Sequence, residues 1–129
     1  MSLASSLRDV ATRSPNQPAL YLERRMLTYA ELNSEAQQLA LRLLGSGLRP
    51  GDRVALHMYN GAELVVGYFG CFYAGAIAVP VNTRMKAAEI EYVLEHSGSS
   101  IYLGQSELFQ EISESRLRFP TIRLKGEAP

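Results

Sequence analysis

Apolar positions along this chain follow two rhythms, a helical spacing and short continuous runs, and the places where one yields to the other predict the elements. Leu3, Leu7, Val10 and Ala11 share one face of a first helix, which Ser14-Pro15 ends because the residue before a proline avoids helical geometry. Pro18 to Leu22 reads as a strand, and Arg25 to Thr28 pairs with it across a reversal at Glu23-Arg24 that lacks the usual turn glycine or asparagine. A second helix opens at Thr28, whose hydroxyl caps backbone amides while Glu31 reaches back to the Thr28 amide. Leu27 and Leu32 flank that box as a hydrophobic staple. The core face then runs through Ala36, Leu39, Leu43 and Leu44, and Gly45-Ser46-Gly47 stops the helix.

Arg49-Pro50-Gly51-Asp52 predicts a type II turn, followed by a strand over Arg53 to Met58. Asn60 with Glu63 repeats the cap-plus-acid arrangement at the start of a third helix, apolar on every side and therefore expected to be buried. Gly67, Gly70 and Ala74 are small positions along it where a sheet can approach, and Gly75 ends it before a strand over Ala76 to Val81. Ile90, Val93 and Leu94 mark a fourth helix ending at Ser97-Gly98, with a short strand over Ser100 to Leu103 after it. Beyond Gly104, a weaker helix around Glu107 to Ile112 and a strand at Thr121 to Leu124 complete the pattern. Strands alternating with helices imply a single α/β domain over residues 1–129, with a mainly parallel sheet, right-handed crossovers and helices on both faces.

Composition narrows the class. Hydrophobic residues make up 47% and charged residues 20%, as in soluble globular domains. Thirteen basic residues balance thirteen acidic ones without blocks of one sign, which argues against a nucleic-acid partner. The longest apolar run, Leu64 to Val81, is broken by Gly67, Gly70 and Gly75 and contains Pro80, so it reads as a buried helix and a strand, with no transmembrane segment expected. The start lacks a basic segment leading into an apolar one, so no secretory leader is expected. Cys71 is the single cysteine; it excludes an internal disulfide, fits a cytoplasmic setting, and reads as a buried structural thiol.

Candidate chemistry is sparse. The ten glycines act as helix stops and packing positions, with no phosphate-cradling loop between a strand and a helix. His57 and His96 are far apart, and neither has a second ligand at metal spacing, so no metal site is expected. His57 reads as packed beside the sheet and His96 as a solvated residue in a last helical turn. No GxSxG elbow surrounds any serine, and Glu89, Glu91 and Glu95 read as a solvated helix face. No catalytic residue is assigned. Asn60 and Asn82 each follow the carboxyl end of a predicted parallel strand, where open α/β sheets collect ligands, and Arg84 lies two residues further on. These three are the candidate ligand contacts, set against a reading of Asn60 as a helix cap and of 82–84 as a plain loop.

Three blocks, taken together and in order, resemble the adenylate-forming superfamily of acyl-CoA synthetases, luciferases and peptide-synthetase adenylation domains. They are Leu27-Thr28-Tyr29-Ala30-Glu31-Leu32, Gly51-Asp52-Arg53-Val54-Ala55-Leu56, and Tyr73-Ala74-Gly75-Ala76-Ile77-Ala78-Val79-Pro80-Val81-Asn82. With the Glu89 to Ser97 continuation, the likeness covers Pro18 to Leu103. Peptide-synthetase domains usually show an aspartate and a proline after the Val-Pro pair, whereas this chain has Val81-Asn82-Thr83-Arg84, which favours a free-standing acyl-CoA synthetase.

The resemblance implies the first subdomain of the large amino-terminal domain of an AMP-forming ligase, with a fatty acid as substrate of the parent enzyme. It also implies ATP, magnesium and CoA as the parent's cofactors: a carboxylate attacks ATP to give an acyl-adenylate and pyrophosphate, and the CoA thiol then displaces AMP. The family's phosphate loop, magnesium-binding acid, ribose-binding aspartate and catalytic lysine are expected beyond Pro129. The 129 residues alone are accordingly expected to bind no cofactor, to be inactive, and to self-associate through apolar surface that the remainder would cover. The alternative is a stand-alone flavodoxin-like binding or interaction module.

Overall fold

From Arg53 to Gln105 the chain passes from strand to helix and back to strand twice, and the sheet that results organises everything packed around it. The computed structural model describes residues 3–22, 25–105, 108 and 121–124. In order these form α1 (Leu3–Arg13), β1 (Pro18–Leu22), β2 (Arg25–Thr28), α2 (Tyr29–Gly45), β3 (Arg53–His57), α3 (Ala62–Ala74), β4 (Ile77–Pro80), α4 (Ala87–Ser97), β5 (Ser99–Gln105) and β6 (Thr121–Leu124). The last four strands make a parallel sheet in the order β4-β3-β5-β6, and β1 with β2 forms a separate antiparallel hairpin. The helix predicted around Glu107 to Ile112 lies outside the described residues, apart from a short turn at Leu108.

The boundaries have local causes. At the start of α2 the Glu31 amide donates to the Thr28 hydroxyl at 3.1 Å and the Thr28 amide donates to the Glu31 carboxylate at 2.9 Å. Those bonds to Thr28, the backbone one first, hold the Glu31 carboxyl below its ordinary value. The turn into β3 closes with Asp52 N–H donating to the Arg49 carbonyl at 3.0 Å, and Gly51 sits at φ 86°, the left-handed geometry a type II turn needs. At α4 the Glu89 carboxylate accepts from the Lys86 amide at 3.3 Å, although no serine or threonine stands there.

The sheet is covered on both faces. Val54, Leu56, Ile101 and Leu103 join Leu39, Leu43, Val66 and Cys71 in the larger core, under α2 and α3. Ala55 and Tyr102 face the other way and pack with Val81, Ile90 and Leu94 beneath α4. That alternation is the period of a strand read directly in its burial. The hairpin is tied down from Arg25, which pairs with Glu35 of α2 at 2.5 Å and Glu63 of α3 at 3.0 Å.

Four expectations are corrected. Leu44 is 45% exposed; the face of α2 is completed instead by Ala40, one helical turn from Ala36. The third helix is not buried all round: Ala62, Val66, Gly67, Gly70, Cys71 and Ala74 are buried, while the opposite stripe is half-buried, because α2 and the sheet cover only one side. Its small positions serve two neighbours. A Cβ at Gly67 would meet Met58 and Leu56 beside the sheet, but one at Gly70 would lie 2.7 Å from the Leu39 side chain, so Gly70 admits α2 instead. Last, the strands shift at their ends: β3 stops at His57, β4 spans only Ile77–Pro80, and β5 runs on to Gln105.

Candidate functional site

In an open parallel sheet, ligands gather beyond the carboxyl ends of the strands where the order reverses. The order β4-β3-β5-β6 puts that reversal between β3 and β5, since the chain leaves β3 for β4 on one side and then crosses to β5 on the other.

The reversal is filled with side chains. His57 and Tyr102, both fully buried, share a hydrogen bond of 2.6 Å between Nδ1 and the phenol oxygen, their rings edge to face. Tyr102 reaches His57 by lying over Gly104, where an added Cβ would come within 2.5 Å of the phenol oxygen. Burial pushes the Tyr102 phenol well above its ordinary value, so it stays protonated. Next to this pair the Gln105 carboxamide, 2% exposed, accepts the Tyr59 amide at 2.7 Å and joins the carboxyl ends of β5 and β3. This crevice is therefore a closed polar joint.

Neither Tyr102 nor Gln105 is among the candidates drawn from the sequence. Tyr102 lies inside an apolar run, and Gly104 reads as the end of the strand, so the following amide carries no signal. Tyr59 precedes Asn60 without a pattern of its own.

The open space lies one strand over. A cleft of about 400 Å³ is bounded by the ends of β3 and β4 and the first turns of α3, with Leu56, Met58, Leu64, Tyr68, Pro80 and Val81 as apolar walls. Asn60, Asn82 and Thr83 supply its polar groups, so the structure brings the two candidate asparagines to one opening. Arg84 does not line it. The Asn82 side-chain oxygen accepts the Arg84 amide at 2.8 Å, which bends the chain away and spends that acceptor on a turn. Asn60 is exposed, and the N-cap of α3 is Gly61, with no side-chain capping bond, so the reading of Asn60 as the cap is corrected.

The cleft contains no carboxylate, imidazole, ammonium or guanidinium, so it has no group to transfer a proton at neutral pH or to offset a triphosphate. Cys71 is no nucleophile either: it is fully buried, and desolvation pushes its thiol up to about 12. His96 is exposed, stacked on Tyr92 at 3.8 Å, and its Nδ1 bonds the Tyr92 carbonyl at 3.0 Å. Among the described residues no three His, Cys, Asp or Glu side chains group as metal ligands, and no helix is long and apolar enough to cross a membrane.

A parallel sheet of this order, covered by helices on both faces and open only at the ends of its strands, defines an α/β segment of the open-sheet class. Residues 7–125 match the family described as AMP-binding enzyme, and the chain belongs to that family. It is 40% identical over 122 residues to the fatty acid–[acyl-carrier-protein] ligase ScoC of Streptomyces coeruleorubidus, covering 92% of this chain and 23% of that protein. It is 41% identical over 100 residues to the long-chain-fatty-acid–CoA ligase FadD13 of Mycobacterium tuberculosis, covering 75% of this chain and 20% of the relative. The phosphinothricin tripeptide synthetase PhsC of Streptomyces viridochromogenes is 35% identical over 107 residues, 83% of this chain and 10% of that synthetase. The chain thus spans less than a quarter of the length of these relatives.

Solved structures agree on the fold. A benzoate CoA ligase from Burkholderia xenovorans LB400 superposes with a TM-score of 0.89 at 25% identity, covering 97% of this chain and 26% of the other. The N-terminal domain of FACL13 from Mycobacterium tuberculosis gives 0.83 at 32% identity, covering 95% and 34%. The anthranilate CoA ligase AuaEII, in complex with anthranoyl-AMP, gives 0.79 at 32% identity, covering 85% and 21%.

Proposed function

We propose that this chain is the amino-terminal subdomain of an acid–CoA ligase that activates a fatty acid through an acyl-adenylate, and that it performs no chemistry by itself. The observation that carries the finer reading is the segment Val81-Asn82-Thr83-Arg84, which lacks the aspartate and proline of peptide-synthetase domains. The 40% and 41% identities to two fatty acid ligases, against 35% to a tripeptide synthetase, point the same way. In the parent enzyme ATP with magnesium would supply the adenylyl group and CoA the accepting thiol. Neither place at the strand ends fits those groups, because the cleft beside β3 and β4 is uncharged and the crevice at the strand reversal is already filled, and the charged hollow between the hairpin, α2 and α3 has its Arg25 paired with Glu35 and Glu63. No step of the reaction is therefore assigned to this chain; its part is to support the walls against which the reacting domain is built.

The direct test is isotopic exchange of pyrophosphate into ATP, measured on the 129-residue protein with octanoate, palmitate, benzoate and a mixture of the proteinogenic amino acids in turn. No exchange above the protein-free rate is expected with any of them. Exchange with a carboxylic acid would overturn the assignment of inactivity, and exchange dependent only on an amino acid would overturn the acid–CoA ligase reading.

A further inference from the structure

We propose that the hollow enclosed by the hairpin, α2 and α3 is a binding site for a small zwitterion, an ω-amino acid whose ammonium meets the triad of Arg25, Glu35 and Glu63 and whose carboxylate meets Arg42. The hollow holds about 190 Å³, below the roughly 300–1,000 Å³ of sites for drug-sized molecules, so its occupant is small. Its charge is divided. At one end Arg25 pairs with Glu35 and Glu63, one cation against two anions, which leaves an excess of one negative charge. These side chains are only partly exposed, Glu63 at 16%, so solvent screens that excess less than it would on an open face. At the other end Arg42 also lines the hollow, and among the described residues its guanidinium has no partner. Local sequence accounts for this, because the positions one turn away, Gln38, Leu39, Gly45 and Ser46, carry no acid.

The same groups exclude other occupants. A polyanion would face two carboxylates, and a simple amine would face two guanidinium groups. A metal ion would find only Glu35 and Glu63, both already held by Arg25, and among the described residues no three ligand side chains come together. An uncharged molecule would leave both ends unanswered. A zwitterion matches each end with its opposite charge. Glu35 and Arg42 stand about two turns apart on α2, or about 10 Å along its axis. Leu39 lies between them on the same helix, and Val66 of α3 adds a second apolar wall, which suits a chain of methylene groups. The Gln38 side-chain nitrogen donates to the Ser34 hydroxyl at 3.2 Å, which leaves its carbonyl oxygen to accept from the ligand's ammonium.

The test is calorimetric titration of the 129-residue chain with 6-aminohexanoate at low ionic strength, against hexanoate and hexylamine, which each lack one charged end. 6-Aminohexanoate is expected to bind at least about tenfold more tightly than either, the effect of losing one charged hydrogen bond. The methyl resonances of Leu39 and Val66 should shift on binding. Arg42→Gln should abolish the preference over hexylamine, and Arg42→Lys, which keeps the charge, should restore much of it. Because Arg42 is exposed, neither substitution is expected to move the urea midpoint. Hexylamine or hexanoate binding as tightly as 6-aminohexanoate discards the site, and so does the absence of binding by all three at about 10 mM. Binding that Arg42→Gln leaves unchanged, or that leaves the two methyl signals unmoved, lies elsewhere and equally overturns the proposal. The three-ligand comparison on the parent chain decides the matter even if a variant fails to fold.

Discussion

Tyr102 reaches His57 only because position 104 carries no side chain. Gly104→Ala is expected to push the ring aside and cost about 1–3 kcal/mol, the range for overpacking a filled interior. Tyr102→Phe removes the buried hydroxyl, keeps the ring, and is expected to cost a similar amount, about 1–3 kcal/mol, through the lost bond to His57. Both act through one contact, so the double variant should lose clearly less than the sum in urea titrations. Simple additivity would mean that the alanine acts elsewhere. The burial of His57 beside the sheet was legible, because it sits in an apolar strand. Its partner, 45 residues away, was not, since nothing in local spacing reports which strand becomes the neighbour. Asn60 shows the opposite error: an asparagine near a helix start looks like a cap, but the helix begins one residue later and Gly61 takes that place.

Elements were legible where their causes are local. The capping box of α2 links residues three apart, and Thr28, Glu31, Leu27 and Leu32 announced it in sequence. Thr28→Ala is expected to cost about 1 kcal/mol, read from the shift in the urea midpoint. The Glu31 carboxyl is held low, so its contribution is present above its ordinary value of 4.5 and fades as the pH falls through the lowered one. Stability of Glu31→Gln and of the parent chain should therefore converge as the solution is acidified; a gap that stays constant from about pH 6 to about pH 2.5 would contradict this. What escaped the sequence at this scale was sidedness. Leu43 and Leu44 are equivalent in composition, yet the helical period turns one into the core and the other into solvent. The anchoring of β2 from Arg25 to Glu35 and Glu63, 10 and 38 residues away, depends on how the hairpin lies across two helices.

For the molecule as a whole, the α/β class and nearly all its strands could be read from the alternation of rhythms, while the order β4-β3-β5-β6 could not. Periodicity reports what a segment buries, not beside which strand it does so. Two groups buried on opposite faces of the sheet, Cys71 and Tyr102, each resist ionisation at high pH. Folded Cys71 keeps its proton until about 12, whereas the unfolded thiol releases it near 9.0, so its stabilisation is complete below that value and is lost as the pH rises between the two. Each pH unit in that window should remove up to about 1.4 kcal/mol, and the raised Tyr102 adds to the loss further up. Urea midpoints from about pH 8 to about pH 10.5 should fall less steeply for Cys71→Ala than for the parent, and parallel curves would refute the assignment. One further consequence follows from the rim of the sheet. Ile77 and Val81 donate their amides inward, to Asp52 and Leu56, so positions 78 and 80 face outward, and position 80 is a proline with no amide to give. The outer border of β4 thus offers a single donor, at Ala78. Fibril growth through this border is accordingly disfavoured, and Pro80→Val, which restores a second outward donor, should raise the thioflavin signal of a concentrated stock above that of the parent chain.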